Sequence, residues 1–96
     1  MVTIGMNYYV REGKERVFEE ACRSVIQVLQ EAEGHEESKI YRCIEAGDPE
    51  YLIVSRWREA GAFERFIASE GFKKVTRWGA QNILTAPPRH TTYGVS

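Results

Sequence analysis

The sequence predicts an α+β fold in which a four-stranded antiparallel sheet carries its helices on one face. Three observations predict it: an alternating apolar segment at the start of the chain, a long amphipathic helix after it, and a strand hairpin followed by a second helical region. A chain of 96 residues can bury one hydrophobic core and no second one, so residues 1–96 are expected to form a single domain.

The first half of the chain changes from a strand pattern to a helix pattern and back. Within residues 1–10 every second position from Val2 onwards is apolar, which is the period of a strand. Apolar residues at spacings of three and four then predict an amphipathic helix over residues 14–32, and Gly34 is suited to end it in a left-handed conformation. Residues 38–44 predict a second strand.

The second half adds a third strand over residues 51–57, a helical region over 58–78 and a last edge strand over 89–95. The turn residues Gly, Asp and Pro within 45–49 predict that strands two and three form a hairpin. Ser69 divides the helical region because it can cap a new helix. The resulting order, strand-helix-strand-strand-helix-strand, is the split βαβ arrangement of ferredoxin-like domains.

Both faces of the predicted sheet carry apolar side chains. In the third strand Tyr51, Ile53 and Trp57 lie on one side, whereas Leu52 and Val54 lie on the other. Helices cover only one face, and a domain of this size has nothing left to cover the second. We therefore expect a homodimer in which a second copy covers the open face, because two-fold self-association is the commonest kind.

Charge and composition restrict the partners and the compartment. A formal net charge of −1 provides no positive field for phosphates or anionic lipids, so neither nucleic acid nor a membrane is expected as a partner. The absence of a membrane-length apolar run and of a signal-peptide pattern predicts a cytoplasmic protein. Cys22 and Cys43 are expected to be buried reduced thiols, and no metal-ligand spacing is present.

No nucleophile elbow, phosphate loop or dinucleotide fingerprint is present, which argues against hydrolase, kinase and dehydrogenase functions. The candidate site is instead an apolar pocket for a small aromatic molecule. Its expected lining residues are Met6, Asn7, Tyr8, Trp57, Phe66 and Trp78. Phe63 and Phe72 are expected to belong to the core.

His90 and Arg56 are the candidate catalytic residues. His90 could carry a proton near neutral pH or lie on the surface, and Arg56, in an apolar strand, could anchor a phenolate or pair with a carboxylate. His35 follows the helix-ending glycine, where a capping or surface role is the alternative to chemistry. Asn7 could orient a substrate oxygen or satisfy a backbone group. Alternation places it on the face away from Met6 and Tyr8, so it faces the dimer partner if those residues face the helices. The basic residues Lys73, Lys74 and Arg77 could attract an acidic ligand or form a solvated helix face.

A series of segments extends from about residue 2 to about residue 80. They are Val2-Thr3-Ile4, Lys14-Glu15-Arg16-Val17-Phe18, Glu33-Gly34-His35 ahead of Tyr41-Arg42, and Leu52-Ile53-Val54-Ser55-Arg56-Trp57 followed by Ala62-Phe63 and Phe66. Together they resemble the antibiotic-biosynthesis-monooxygenase domain, with the strand that ends in tryptophan as the strongest element. The resemblance implies a dimeric α/β-barrel with a pocket between sheet and helices in each subunit.

The resemblance implies one of two activities. Some members oxidise flat polyphenolic substrates with molecular oxygen and no prosthetic group, and this is the function we expect. Haem-degrading members need an asparagine, a tryptophan and a haem-ligating histidine, and these roles fall on Met6, Phe66 and Thr76, none of which matches. Haem remains a minor alternative, with His90 or His35 as the iron ligand. The other alternative is a non-catalytic dimeric binding or stress-associated module.

Overall fold

A computed structural model of the chain describes residues 1–45, 47 and 49–94. Within these residues the elements follow the order β1 (Val2–Tyr9), α1 (Glu15–Glu31), β2 (His35–Arg42), β3 (Glu50–Trp57), α2 (Ala60–Ile67), α3 (Glu70–Asn82) and β4 (Arg89–Gly94). The strands form one sheet in the order β2-β3-β1-β4, and each neighbouring pair is antiparallel. The predicted α+β, ferredoxin-like fold is confirmed.

β2 and α3 have boundaries that differ from the prediction for local reasons. β2 begins at His35, which pairs with Trp57 across a β-bulge, and it ends at Arg42, so that the predicted end at Ile44 is exposed loop. α3 continues through Gly79 to Asn82, because Gly79 accepts helical hydrogen bonds instead of ending the helix. Val95 of the predicted last strand lies outside the described residues, as do Ala46 and Asp48 of the predicted turn.

Strand alternation places the core between the inner face of the sheet and the three helices. On the central strands Ile4, Met6, Ile53 and Trp57 point inwards and are buried, and Trp57 is 0% exposed. The helices contribute Phe18, Cys22, Leu29, Ala62 and Phe63, and Ile83 and Leu84 follow at the end of α3. Burial of these side chains supplies the main stabilisation of the domain, at roughly 1.5–3 kcal/mol for each large one.

Direct hydrogen bonds complement this apolar contact between sheet and helices. The hydroxyl of Tyr51 donates to Oε2 of Glu19 at 2.5 Å, which connects β3 to α1. Burial is the main cause that raises the pKa of Tyr51 to about 12, and the neighbouring Glu19 carboxylate adds to it, so the phenol keeps its proton at neutral pH.

At the start of α3, Ser69 Oγ accepts from the Phe72 N–H at 3.3 Å, which confirms Ser69 as the predicted cap.

The outer face of the sheet is left without a helical cover. Leu52 and Val54 point to this side, and a Cβ placed on Gly5 would lie 3.5 Å from both Leu52 and Tyr93. Tyr41 and Tyr93 are 51% and 57% exposed there. The face thus combines apolar and aromatic side chains in the middle of the sheet, as the sequence predicted.

Gly34, at the junction of α1 and β2, lies so close to Ala62 that a side chain at this position would overlap with it. Its φ is +86°, and an added Cβ would lie 2.5 Å from Cβ of Ala62. Gly34→Ala is therefore expected to lower the free energy of unfolding by about 2–4 kcal/mol, from backbone strain and overlap together. Gly13→Ala is the matched control, because its φ is +88° with no atom within 4 Å, and we expect a cost of about 1 kcal/mol. If urea denaturation gave the same loss in the free energy of unfolding for Gly34→Ala and Gly13→Ala, the close contact with Ala62 would be contradicted.

Candidate functional site

The described residues form three adjoining recesses on the helical side of the sheet. The largest is a groove of about 520 Å³ between α1 and α3, with the end of α2 at one side. Its lining residues are Ala21, Ser24, Val25, Val28, Phe66, Gly71, Phe72, Lys74, Val75 and Trp78. This volume falls within the range of sites that hold a drug-sized molecule, and the walls are almost entirely apolar.

A smaller cavity of about 50 Å³ lies beneath the groove and shares the walls formed by Val25, Phe72 and Trp78. Tyr8 on β1 and Cys22 on α1 belong to its deeper part. The Tyr8 hydroxyl is directed to Sδ of Met6 at 3.8 Å, and burial raises the pKa of Tyr8 well above its usual value. Tyr8 is therefore a neutral phenol in an otherwise apolar space.

The third recess, of about 180 Å³, contains His90 and Met6, which face each other as partners in the β1–β4 register. The His90 imidazole packs edge-on against the ring of Phe63 at a centroid distance of 5.6 Å. Thr76 closes one side, and its hydroxyl donates to the Phe72 carbonyl at 2.8 Å. His90 is exposed, so its ring can meet both solvent and a bound molecule.

Phe72 is the side chain that the three recesses have in common. The sequence assigned it to the core, whereas the structure leaves it half-buried as the wall between groove and His90 recess. Val75 and Trp78 follow it at intervals of three along α3, and together they face α1 across the groove. The sequence signal for this wall of the groove was the helical spacing of the three apolar residues. That spacing does not distinguish a stripe buried against the sheet from one that faces another helix.

Five of the predicted pocket residues and one of the two predicted catalytic residues, His90, fall into separate groups on the helical side of the sheet. Phe66 and Trp78 line the groove, Tyr8 lines the inner cavity, and Met6 and His90 line the third recess. Trp57 is fully buried behind Phe66, with the two ring centroids 5.6 Å apart, and supports the groove from below.

Asn7 and Arg56 lie on the outer face of the sheet, away from these recesses. Asn7 pairs with Leu52 and Arg89 in the register, and Nη2 of Arg56 lies 3.3 Å from the Glu37 carboxylate. This differs from the predicted lining, because adjacent residues of a strand point to opposite faces and the pocket side is taken by Met6, Tyr8 and Trp57.

His35 belongs to a polar chain between β2 and β3. Its Nε2 lies 2.7 Å from Ser38 Oγ, and that hydroxyl donates to Ser55 Oγ at 2.9 Å, with Ser55 only 2% exposed. Burial lowers the pKa of His35, which keeps the ring neutral beside the edge of Trp57. These hydrogen bonds connect β2 and β3 at the sheet edge, so His35 has a structural role in the fold.

The two cysteines have different surroundings. Cys22 is buried as predicted. Burial is the main cause that raises the pKa of its thiol to about 12, and the nearby Glu19 carboxylate adds to it. Cys43 is exposed, contrary to the prediction, because it follows the end of β2. We expect one thiol per native chain to react with a disulfide reagent at pH 8 and the second only after unfolding. Two rapidly reacting thiols in the native protein would contradict the burial of Cys22.

Among the described residues, no group of three or more His, Cys, Asp or Glu side chains is arranged to hold a metal ion. No helix in this part of the chain combines the length and the apolar character needed to cross a membrane.

The fold and the recesses define a small α+β domain with an apolar groove between α1 and α3 and two smaller recesses against the inner face of its sheet. The family model described as antibiotic biosynthesis monooxygenase matches residues 1–78. The chain therefore belongs to the antibiotic biosynthesis monooxygenase family.

Solved structures with the same fold extend over nearly the whole chain. SnoaB of Streptomyces nogalater, a cofactor-independent oxygenase, has a TM-score of 0.82 at 20% identity and covers 99% of this chain and 92% of its own. A conserved protein from Methanosarcina mazei has a TM-score of 0.87 at 19% identity, with coverage of 99% and 92%. At these identities the likeness shows the fold alone.

The curated relatives carry a different description. A protein of Halobacterium salinarum with the name "Putative heme-binding protein" is 30% identical over 88 residues, which are 92% of this chain and 18% of that protein. A Haloquadratum walsbyi protein of the same description is 27% identical over 88 residues, or 16% of its length. The chain thus spans less than a fifth of the length of these relatives.

Haem, which those names mention, needs a wide flat space and an iron-ligating side chain in the same recess. The groove is the recess large enough for a wide flat ring, but its lining contains no His, Cys, Met or Tyr to ligate iron. His90 and Met6 lie instead in the recess of about 180 Å³. Thr76, at the position implied for the axial histidine, uses its hydroxyl on a backbone carbonyl. In this structure the possible ligands and the space for a wide ring thus lie on different sides of Phe72, and none of these three recesses by itself fits haem.

Proposed function

We propose that this domain is a cofactor-independent monooxygenase that oxidises a flat aromatic small molecule with molecular oxygen. The observation that carries the proposal is the open apolar groove, whose aromatic walls are Phe66, Phe72 and Trp78. Flat rings bind to such walls by stacking and by removal of apolar surface from water. SnoaB, which shares the fold, is named as a cofactor-independent oxygenase, and this supports the same type of chemistry here.

The reaction requires a base, a dry site and oxygen. His90 takes a proton from an activated CH₂ group of the substrate, and the resulting carbanion transfers an electron to oxygen. Recombination forms a carbon–oxygen bond and leaves a peroxide anion, to whose distal oxygen His90 returns its proton. Loss of the second hydrogen from carbon then breaks the O–O bond, which leaves the C=O group and releases the distal oxygen as water. The balance is CH₂ + O₂ → C=O + H₂O, with the substrate as the only reductant. The apolar side chains of Met6, Ile67 and Phe72 in the His90 recess favour this course because they limit the access of water to the carbanion.

The substrate extends from the groove towards His90. Its aromatic body lies between α1 and α3, and its reacting edge reaches the third recess past Phe72, the wall that the two recesses share. Rotation of the Phe72 side chain opens this route. Tyr8, held neutral by burial, lies behind the same wall and is available as a hydrogen-bond donor.

Oxygen uptake with a panel of anthrones and hydroquinones tests the proposal. We expect at least one anthrone to be consumed with one oxygen molecule per substrate, at a rate that saturates with substrate concentration. Val75→Trp, which fills the groove from α3, should abolish saturation. Binding of the aromatic compounds without oxygen uptake would support the alternative of a non-catalytic binding module, and background uptake throughout would contradict the proposal.

A second copy of the chain is proposed to cover the outer face of the sheet. The support is the apolar strip formed by Leu52 and Val54 between the exposed rings of Tyr41 and Tyr93. Size-exclusion chromatography with light scattering should report twice the chain mass. Val54→Asp should reduce this to one chain mass, whereas Val28→Asp, on the helical side, should not. A monomer at micromolar concentration would contradict the dimer.

A further inference from the structure

The groove between α1 and α3 is apolar except for two side chains. Ser24 on α1 and Lys74 on α3 are the polar residues of its lining, and no Asp or Glu belongs to it. Lys74 makes no ion pair with any of the described residues, although five other basic side chains do. The formal charge at the groove is thus a single positive one.

This arrangement has a consequence for the ligand. A neutral aromatic molecule would leave the Lys74 ammonium without a partner beside an apolar surface, whereas an anionic group on the same ring system would pair with it. Partial exclusion of water by the rings strengthens that attraction relative to an exposed ion pair. The hydroxyl of Ser24, in the facing helix, can donate a hydrogen bond to the same group.

We infer that the groove selects flat aromatic molecules that carry an anionic group, a carboxylate or an ionised phenol, and that Lys74 is the residue that selects them. The inference rests on the proposed function for the place of the aromatic body, and it adds the charge of the substrate. Lys74 is then a specificity residue at one end of the ligand, whereas the proton transfer belongs to His90 at the other. The groove is open beside Gly71, one turn before Lys74, since a Cβ placed there would meet no atom within 4 Å.

Lys73 provides a matched control for Lys74. Both side chains are exposed on α3, but Lys73 does not belong to the groove lining. Lys74→Gln and Lys73→Gln remove the same charge from the chain, so a general electrostatic effect would act on both. Neither side chain is buried, so both variants are expected to fold.

The test compares anthracenecarboxylate with anthracenecarboxamide, which share one ring system and differ in charge. Binding is followed by quenching of the Trp78 fluorescence at the groove, at low ionic strength. Lys74→Gln should weaken binding of the carboxylate about fivefold and leave the carboxamide within about twofold, since a partly exposed ion pair contributes up to about that factor. Lys73→Gln should change neither. Added salt should weaken only the carboxylate, and only in proteins that retain Lys74.

The outcomes separate this inference from the proposed function. If both compounds bind and Lys74→Gln affects them equally, or if Lys73→Gln has the same effect as Lys74→Gln, selection by charge is overturned while the aromatic groove stands. If neither compound binds to the unmodified protein, both the inference and the proposed place of the substrate fall.

Discussion

Replacing His90 by glutamine is expected to lower the rate of substrate-dependent oxygen uptake by about 100-fold, because a positioned general base contributes about that factor or more. Aromatic binding should stay within about twofold, since His90 does not belong to the groove lining. A large loss of rate with nearly unchanged binding identifies His90 as a base. A residue that only maintained the fold would change rate and binding together.

His35→Gln is the matched control, because it removes the other histidine of the chain. His35 bonds to Ser38 at the β2 edge and lines none of the three recesses, so the variant should retain the rate. Full activity in His90→Gln would remove His90 from the mechanism.

Trp57→Ala should give the largest loss of stability, about 3–5 kcal/mol in the free energy of unfolding. Trp57 is 0% exposed and packs against Phe63 and Phe66, so its removal leaves a large cavity beneath the groove. Its Nε1 has no hydrogen-bond partner among the described residues. Trp57→Phe should therefore cost less than removal of the ring, since it deletes volume but breaks no hydrogen bond.

Trp78→Ala is the control within the same chain. Trp78 is 45% exposed at the groove, and its removal should cost about 1 kcal/mol. Urea denaturation followed by circular dichroism measures both variants without depending on tryptophan fluorescence, at one protein concentration because self-association would shift the midpoint. Similar losses for the two variants would contradict the assignment of Trp57 to the core and Trp78 to the site.

Much of the fold follows from local patterns that the sequence displays. The alternation in β1 and β3 fixes which residues face the helices, and the cap at Ser69 and the left-handed Gly34 mark helix boundaries through backbone chemistry. Gly79 misled the prediction because glycine also occurs inside helices, and here it is buried next to Ile83 and Leu84 with room for a Cβ at ordinary contact distance. Local propensity does not distinguish the two uses.

The site was less predictable because it depends on how helices lie against one another. The sequence identified Phe66, Trp78, Met6 and His90 as separate candidates, and the register of β1 with β4 brought the last two together. Phe72 was assigned to the core since a helical stripe does not reveal what it faces.

The outer-face position of Arg56 and Asn7 follows from the strand period, but the choice of pocket residues was made on chemical type, which does not identify a face. Arg56 did meet the requirement for a carboxylate partner, which Glu37 supplies at the surface of the sheet.

Labelled oxygen tests the central claim most directly. An anthrone is incubated with the chelator-treated protein under ¹⁸O₂, and product and water are analysed by mass spectrometry. The account predicts one labelled oxygen atom in each quinone formed, one oxygen molecule consumed per substrate, and loss of this incorporation in His90→Gln. Quinone that carries oxygen from water, or formation at the uncatalysed rate, would contradict a monooxygenase site between the helices and the sheet.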